Sequence, residues 1–181
     1  MLRIYKLIIS LYLITPNQIF MKTCNFKTRF ILVCIVALTC TVSCSKDDSL
    51  KEIEEQEALS IAEDILQLVN THRTSIGKQV LGSNNLATKL AKEHTLFMIG
   101  QNEISHENFD DRADRLFDEE SAKNVGENVA AGQRSAQDVM TAWLNSNGHR
   151  KNIEGDFTHV GISALKNNTG AYYYTQLFLK K

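Results

Sequence analysis

The chain has 181 residues, 43% of them apolar, and a formal net charge of −1. The charge is unevenly spread: the first 44 residues carry five Lys or Arg and no Asp or Glu, leaving fifteen basic against twenty-one acidic side chains afterwards. A mildly acidic domain lacks the electrostatic footprint of a nucleic-acid binder, so no nucleic-acid partner is expected. Cys24, Cys34, Cys40 and Cys44 all precede the acidic part, which therefore has no internal disulfide and rests on its core.

The N-terminal region reads as an export segment. Residues 1–15 are apolar with a few bases, until Pro16 breaks the run. From Met21 the pattern is cleaner: Lys22, Lys27 and Arg29 precede the apolar stretch Phe30 to Leu38, and Thr41-Val42-Ser43 lead into Cys44. That stretch is shorter than the ~20 apolar residues of a spanning helix. It resembles a bacterial lipoprotein signal peptide, which ends just before a cysteine that is acylated. The cleaner pattern from Met21 reads as the true start, with residues 1–20 an upstream extension and 21–43 the signal; the alternative is a double-hydrophobic N-terminus. The resemblance further implies 44–58 as acylated Cys44 with its tether, and 59–181 as the folded domain. Ser45-Lys46-Asp47-Asp48 resembles the tether of surface-displayed lipoproteins of Bacteroidetes-type bacteria. The membrane, reached through that lipid, is thus an expected partner. Acylation gives ~0.8 kcal/mol per buried methylene.

Residues 45–57 are charged and aperiodic and read as a tether running into a helix. Ile61, Ile65, Leu66, Leu68 and Val69 then fall near helical spacing. Ser75-Ile76-Gly77 is loop chemistry. A second helix begins after Asn84 or Asn85, either of which is a good cap. Its apolar stripe includes Leu86, Ala87, Leu90, Ala91, His94, Phe97 and Met98, and Gly100 is expected to stop it. His94 on that stripe reads first as a packed core residue. Residues 108–120 carry a short helix.

Val125 to Ala131 is small and apolar and ends at Gly132. Ser135 to Asp138 is close to a capping box, opening a third helix with Trp143 on its buried face and Asn147-Gly148 at its end. The tail changes to period two: Thr158-Val160-Ile162-Ala164, turn residues 166–170, then the β-rich 171–179. Helices followed by a C-terminal hairpin predict an α+β domain, with helices packed on a central antiparallel sheet.

Two histidines and a carboxylate stand in polar loops or at helix ends: His106, Glu127 and His149. Such a set suits a divalent transition metal, zinc above all, or acid–base work. The blander alternative has the histidines bonding loop backbone and Glu127 capping a helix or pairing with a base. Spacing does not choose between them.

Five short motifs run in order along the chain. They are Ala91-Lys92-Glu93-His94-Thr95 with Met98, and Ser105-His106 with Phe109 and Arg112. Then come Gly126-Glu127-Asn128-Val129-Ala130, Trp143 to Ile153, and Phe157-Thr158-His159-Val160-Gly161-Ile162. This succession resembles the bacterial branch of the CAP superfamily, the cysteine-rich secretory, antigen 5 and pathogenesis-related 1 group, over roughly residues 60–180. The resemblance implies an α-β-α sandwich whose cleft holds a divalent cation such as zinc on His106, Glu127 and His149. A second glutamate common in eukaryotic members is Ser146 here, so the set is at most a triad. His159, Ser146, Asn128 and Asn152 are further cleft-lining candidates. The two asparagines are expected to satisfy backbone groups and fix the segments presenting Glu127 and His149. No nucleophile-elbow pattern surrounds Ser105 or Ser146.

Three functions stay open. One is an envelope-anchored, non-enzymatic binding module for a small apolar, glycan or protein ligand. The second is a metal-dependent hydrolase acting on peptides or envelope polymers. The third is a structural envelope protein with a vestigial cleft.

Overall fold

The computed structural model describes residues 46–181. The expected extension, signal peptide and Cys44 lie outside the described residues. In chain order the elements are α1 (Lys46–Ser75), β1 (Gly82–Ser83), α2 (Asn85–Gln101), α3 (Phe109–Glu120) and β2 (Asn124–Ala131). They continue with α4 (Ala136–Asn145), α5 (Asn147–Ile153), β3 (His159–Lys166) and β4 (Tyr172–Lys180).

The strands form one sheet in the order β1-β3-β4-β2. β4 pairs antiparallel with both β3 and β2. The expected C-terminal hairpin is present, its turn held by Asn167 Oδ1, which accepts the N–H groups of Thr169 and Ala171. The sheet is not antiparallel throughout. β1 adds two residues parallel to β3, with Gly82 opposite His159, and this makes it mixed.

Alternation along β4 builds the two layers, because successive side chains leave opposite faces of a strand. Tyr174 and Phe178 join Ile65 and Val69 of α1, Val139 and Trp143 of α4 and Ile153 of α5 in one core. Leu177 and Leu179 join Ala87, Leu90 and Ala91 of α2 and Leu116 of α3 in the other. A strand covered on both faces reads as a near-continuous apolar run. The β-rich stretch 172–179 comes close, interrupted by Thr175 and Gln176, and all eight residues are buried.

Several helix ends differ from the sequence expectation. The aperiodic charged stretch is helical from Lys46 onward. Glu57 within it accepts from Lys166 Nζ at 2.8 Å and from the Tyr172 hydroxyl at 2.7 Å, which fastens α1 to the hairpin. Asn84 caps α2 by accepting the Ala87 N–H at 2.8 Å. That helix runs past Gly100 to end on Asn102, left-handed at φ 55°, whose N–H returns to Ile99 and Met98. Asparagine tolerates this conformation better than most side chains. The third helix stops at Asn145 rather than at Asn147-Gly148. Ser146 is extended there, and a new helix, α5, begins at Asn147.

α2 lies unusually close to the sheet. A Cβ on Gly161 would come within 2.0 Å of the Ala87 carbonyl carbon and 2.1 Å of the Thr88 nitrogen. Backbone cannot yield as a flexible side chain would. Gly161→Ala should therefore destabilise the domain at or above the upper end of the ~1–3 kcal/mol typical of overpacking, read from urea denaturation midpoints.

Candidate functional site

β2 is an edge strand, paired only with β4. Within Gly126-Glu127-Asn128, consecutive side chains point to opposite faces. Glu127 goes to the α2–α3 side, where its side chain is 2% exposed. A carboxylate buried this deeply must be matched or it will not ionise. Arg112 of α3 supplies the match in fork geometry, with Nε donating to Oε2 at 2.8 Å and Nη2 to Oε1 at 2.9 Å. Its Nη1 donates to the Glu107 carbonyl at 2.8 Å and so fixes the loop that carries His106.

His106 Nδ1 lies 2.8 Å from Glu127 Oε1. A carboxylate only accepts, so Nδ1 carries the proton and the ring is left with Nε2 as its acceptor. The His106 side chain is 54% exposed. His94 is buried behind the cluster, stacked on Phe97. Its Nε2 donates to the Ser105 carbonyl at 2.8 Å and lies 3.9 Å from Glu127 Oε1. Burial pushes the His94 imidazole below its ordinary value, and the Ser105 bond opposes that only in part.

His149 sits in the first turn of α5, partly buried. Burial, and then the charge of nearby His106, hold its pKa below the usual range. Amides fix its position. Asn128 Nδ2 donates to the His149 carbonyl at 3.1 Å and to Gln176 Oε1 at 3.1 Å. Asn152 Nδ2 donates to the Glu127 carbonyl and to Asn128 Oδ1, both at 2.9 Å. Thus the network grips the backbone of Glu127 and of His149 together, the task expected of the two asparagines. Trp143 Nε1 serves the next outer carbonyl of β2, that of Val129, at 3.3 Å.

The remaining candidates are placed differently. Ser146 is the residue before α5, half-buried and making no side-chain cap bond. His159 lies against Gly82, and its Nδ1 is 2.9 Å from the Thr158 hydroxyl. It shares the Glu127 face but stands two strands away, on β3. The Ser105 hydroxyl takes the Glu107 N–H at 3.4 Å.

Arg112 is the functional residue that the sequence pattern left without a role. Its signal is positional. Arg112, Ala113 and Leu116 form the buried stripe of α3, flanked by half-buried Phe109, with an arginine in a core position. Arg73 is a second such case, 2% exposed. Its guanidinium is spent on the carbonyls of Gln79, Ile153, Gly155 and Phe157, which pins the C-terminal end of α5.

Residues 66–178 match the family model for CAP, the cysteine-rich secretory protein family. The chain belongs to the CAP family. YkwD of Bacillus subtilis (strain 168) is 32% identical over 124 residues, covering 65% of this chain and 46% of YkwD. The membrane protein YlbC of the same organism is 31% identical over 121 residues, 65% of this chain and 34% of its own. The chain therefore spans under half the length of these relatives. An extracellular SCP-domain protein from Bacillus anthracis superposes with a TM-score of 0.62 at 27% identity, covering 76% of this chain and 44% of that one. An outer surface protein from Borrelia burgdorferi shares the fold, with a TM-score of 0.60 at 24% identity over 66% of this chain and 93% of its own. The CAP fold and the bacterial branch expected from the motifs are thus shown.

Two outcomes follow from the cluster. Removing one partner of the buried pair strands the other, so Glu127→Ala should cost ~3–5 kcal/mol, and the joint change Arg112→Met with Glu127→Leu should restore most of it. Urea unfolding of the three chains measures both. His94 binds its proton less readily when folded than when unfolded. As pH falls through ~6.5, the unfolded state gains that proton first and stability drops. Unfolding curves above and below that pH should show the loss, and His94→Gln should flatten the slope.

Proposed function

We propose that this CAP domain is a lipid-anchored binding module of the cell envelope. Its cleft would take a divalent cation such as zinc at a mouth formed by His106 and His149. The observation that carries this reading is the Glu127–His106 contact. A buried carboxylate on Nδ1 sets the tautomer of the ring and directs Nε2 outward, which is how outer carboxylates support metal-binding histidines. The depressed pKa of His149 favours the neutral ring that a metal requires.

The donor set fits a cation differently from the triad implied by the resemblance. Both oxygens of Glu127 accept hydrogen bonds from Arg112, so a cation placed on them would meet a guanidinium. Glu127 therefore orients His106, and the two histidines are the protein ligands. With Ser146 in place of a second glutamate, a four-coordinate ion keeps positions for water or for a donor on a bound molecule. When bound, the ion would supply a Lewis-acidic attachment point. Such a mouth suits capture of a small apolar, glycan or protein ligand better than turnover.

Among the described residues no helix is long and apolar enough to cross a membrane. The proposed anchor is the acyl group on Cys44. An extracellular protein and an outer surface protein stand among the similar structures, which supports an envelope location.

Calorimetric titration of the chain with zinc checks the site. His106→Ala and His149→Ala should each abolish most of the binding, and Glu127→Gln should weaken it ~10–100-fold. Zinc affinity unchanged in both histidine variants would sink the proposal. The anchor is tested separately by membrane fractionation. Cys44→Ser should move the chain to the soluble fraction, and retention after washing would place the anchor elsewhere.

A further inference from the structure

Arg112 and His94, the two groups behind Glu127, also stand in the wall of a groove between α2 and α3. The groove has a volume of about 270 Å³, with Leu90 and Phe97 among its walls. Glu93, Asp111 and Arg115 stand at the same groove. Neither His106 nor His149 lines it, so it is separate from the proposed cation mouth.

The polar groups lining it are mixed in a specific way. A guanidinium has five N–H donors. Three of those on Arg112 go to Glu127 and Glu107, one from each nitrogen. One N–H on Nη1 and one on Nη2 remain, on a nearly buried cation that lines the groove. Arg115 gives its Nε to Glu119 and reaches Glu93 only at 3.9 Å, which leaves donors to spare. Carboxylates of Glu93 and Asp111 complete the set. The groove thus offers donors for one carboxylate, acceptors for one ammonium and an apolar wall beside both.

We propose that this groove is a second binding site, for a free apolar α-amino acid held as its zwitterion. The carboxylate pairs with Arg112 and Arg115, the ammonium with Glu93 and Asp111, and the side chain lies on Leu90 and Phe97. A plain fatty acid would meet two carboxylates without a cation of its own, and a plain amine would meet two guanidinium groups. The volume falls just below the ~300–1,000 Å³ of pockets for drug-sized ligands, which suits a single small molecule. Because Arg112 also holds Glu127, an occupant here touches the support of His106 from behind.

The test is isothermal titration of the full chain in detergent micelles with L-leucine, hexanoate and isopentylamine. The last two each carry one of the two charges. L-Leucine should bind saturably, with each single-charge probe at least about tenfold weaker, equivalent to ~1.4 kcal/mol. Arg115 is 40% exposed, so Arg115→Ala should keep the fold, checked by circular dichroism, while weakening leucine about tenfold. Zinc titration of the same variant keeps this proposal separate from the cation reading, since Arg115 touches neither His106 nor His149. Absence of leucine binding, hexanoate binding as well as leucine, or an unaffected Arg115→Ala would each overturn the amino-acid site.

Discussion

The carboxylate of Glu127, inside the protein at 2% exposure, is the constraint to which the rest of the site answers. Desolvating a charge costs several kcal/mol, recovered only by a partner of good geometry. Arg112 meets that demand with two near-parallel bonds, and doing so dictates where α3 must lie. Since the third nitrogen holds the Glu107 carbonyl, the loop bearing His106 is fixed by the same side chain. One ion pair thereby converts the burial of a strand residue into the orientation of an exposed histidine.

On the other face of β2 the problem is an unpaired edge rather than a charge. Edge strands expose backbone groups that must find partners. Asn152 and Trp143 serve the outer carbonyls of Glu127 and Val129. α5 is therefore attached to the strand through its backbone, with Asn128 returning a bond to the His149 carbonyl. Arg73 holds the far end of α5 through carbonyls at its C-terminus, where the helix dipole favours a cation. A helix of seven residues has little stability of its own, so these side-chain bonds hold His149 in place.

Legibility in the sequence followed the range of the interactions. Periodicity exposed α2, α4 and the hairpin because each buries one stripe or alternates locally. β2 passed only as a small apolar stretch, for its partner β4 lies some fifty residues further on, and no local signal reports that pairing. The break at Ser146 was hidden because Asn147-Gly148 looks like a stop signal while Ser146 does not. Motif resemblance brought His106, Glu127 and His149 forward. It could not show that Glu127 is already engaged, because the positive partner sits fifteen residues away on another element. A core-stripe arginine such as Arg112 or Arg73 is a signal that sequence does carry, and it marks a buried acceptor set still to be found.

The engagement of Glu127 also limits what chemistry the cleft can support. A carboxylate with both oxygens bonded to a guanidinium is a poor base and a poor ligand, for either role requires displacing Arg112. What the pair does well is hold a ring. Ser146, standing where a second acidic group is common in eukaryotic relatives, removes the other anionic donor. The proposed mouth is left with two imidazoles and no free carboxylate from this set, so any cation taken there would rest on neutral nitrogen donors. Sites of that kind discriminate by ligand softness and geometry rather than by charge. They favour an ion that accepts imidazole over one that demands oxygen, which makes magnesium and calcium poor occupants and zinc a good one.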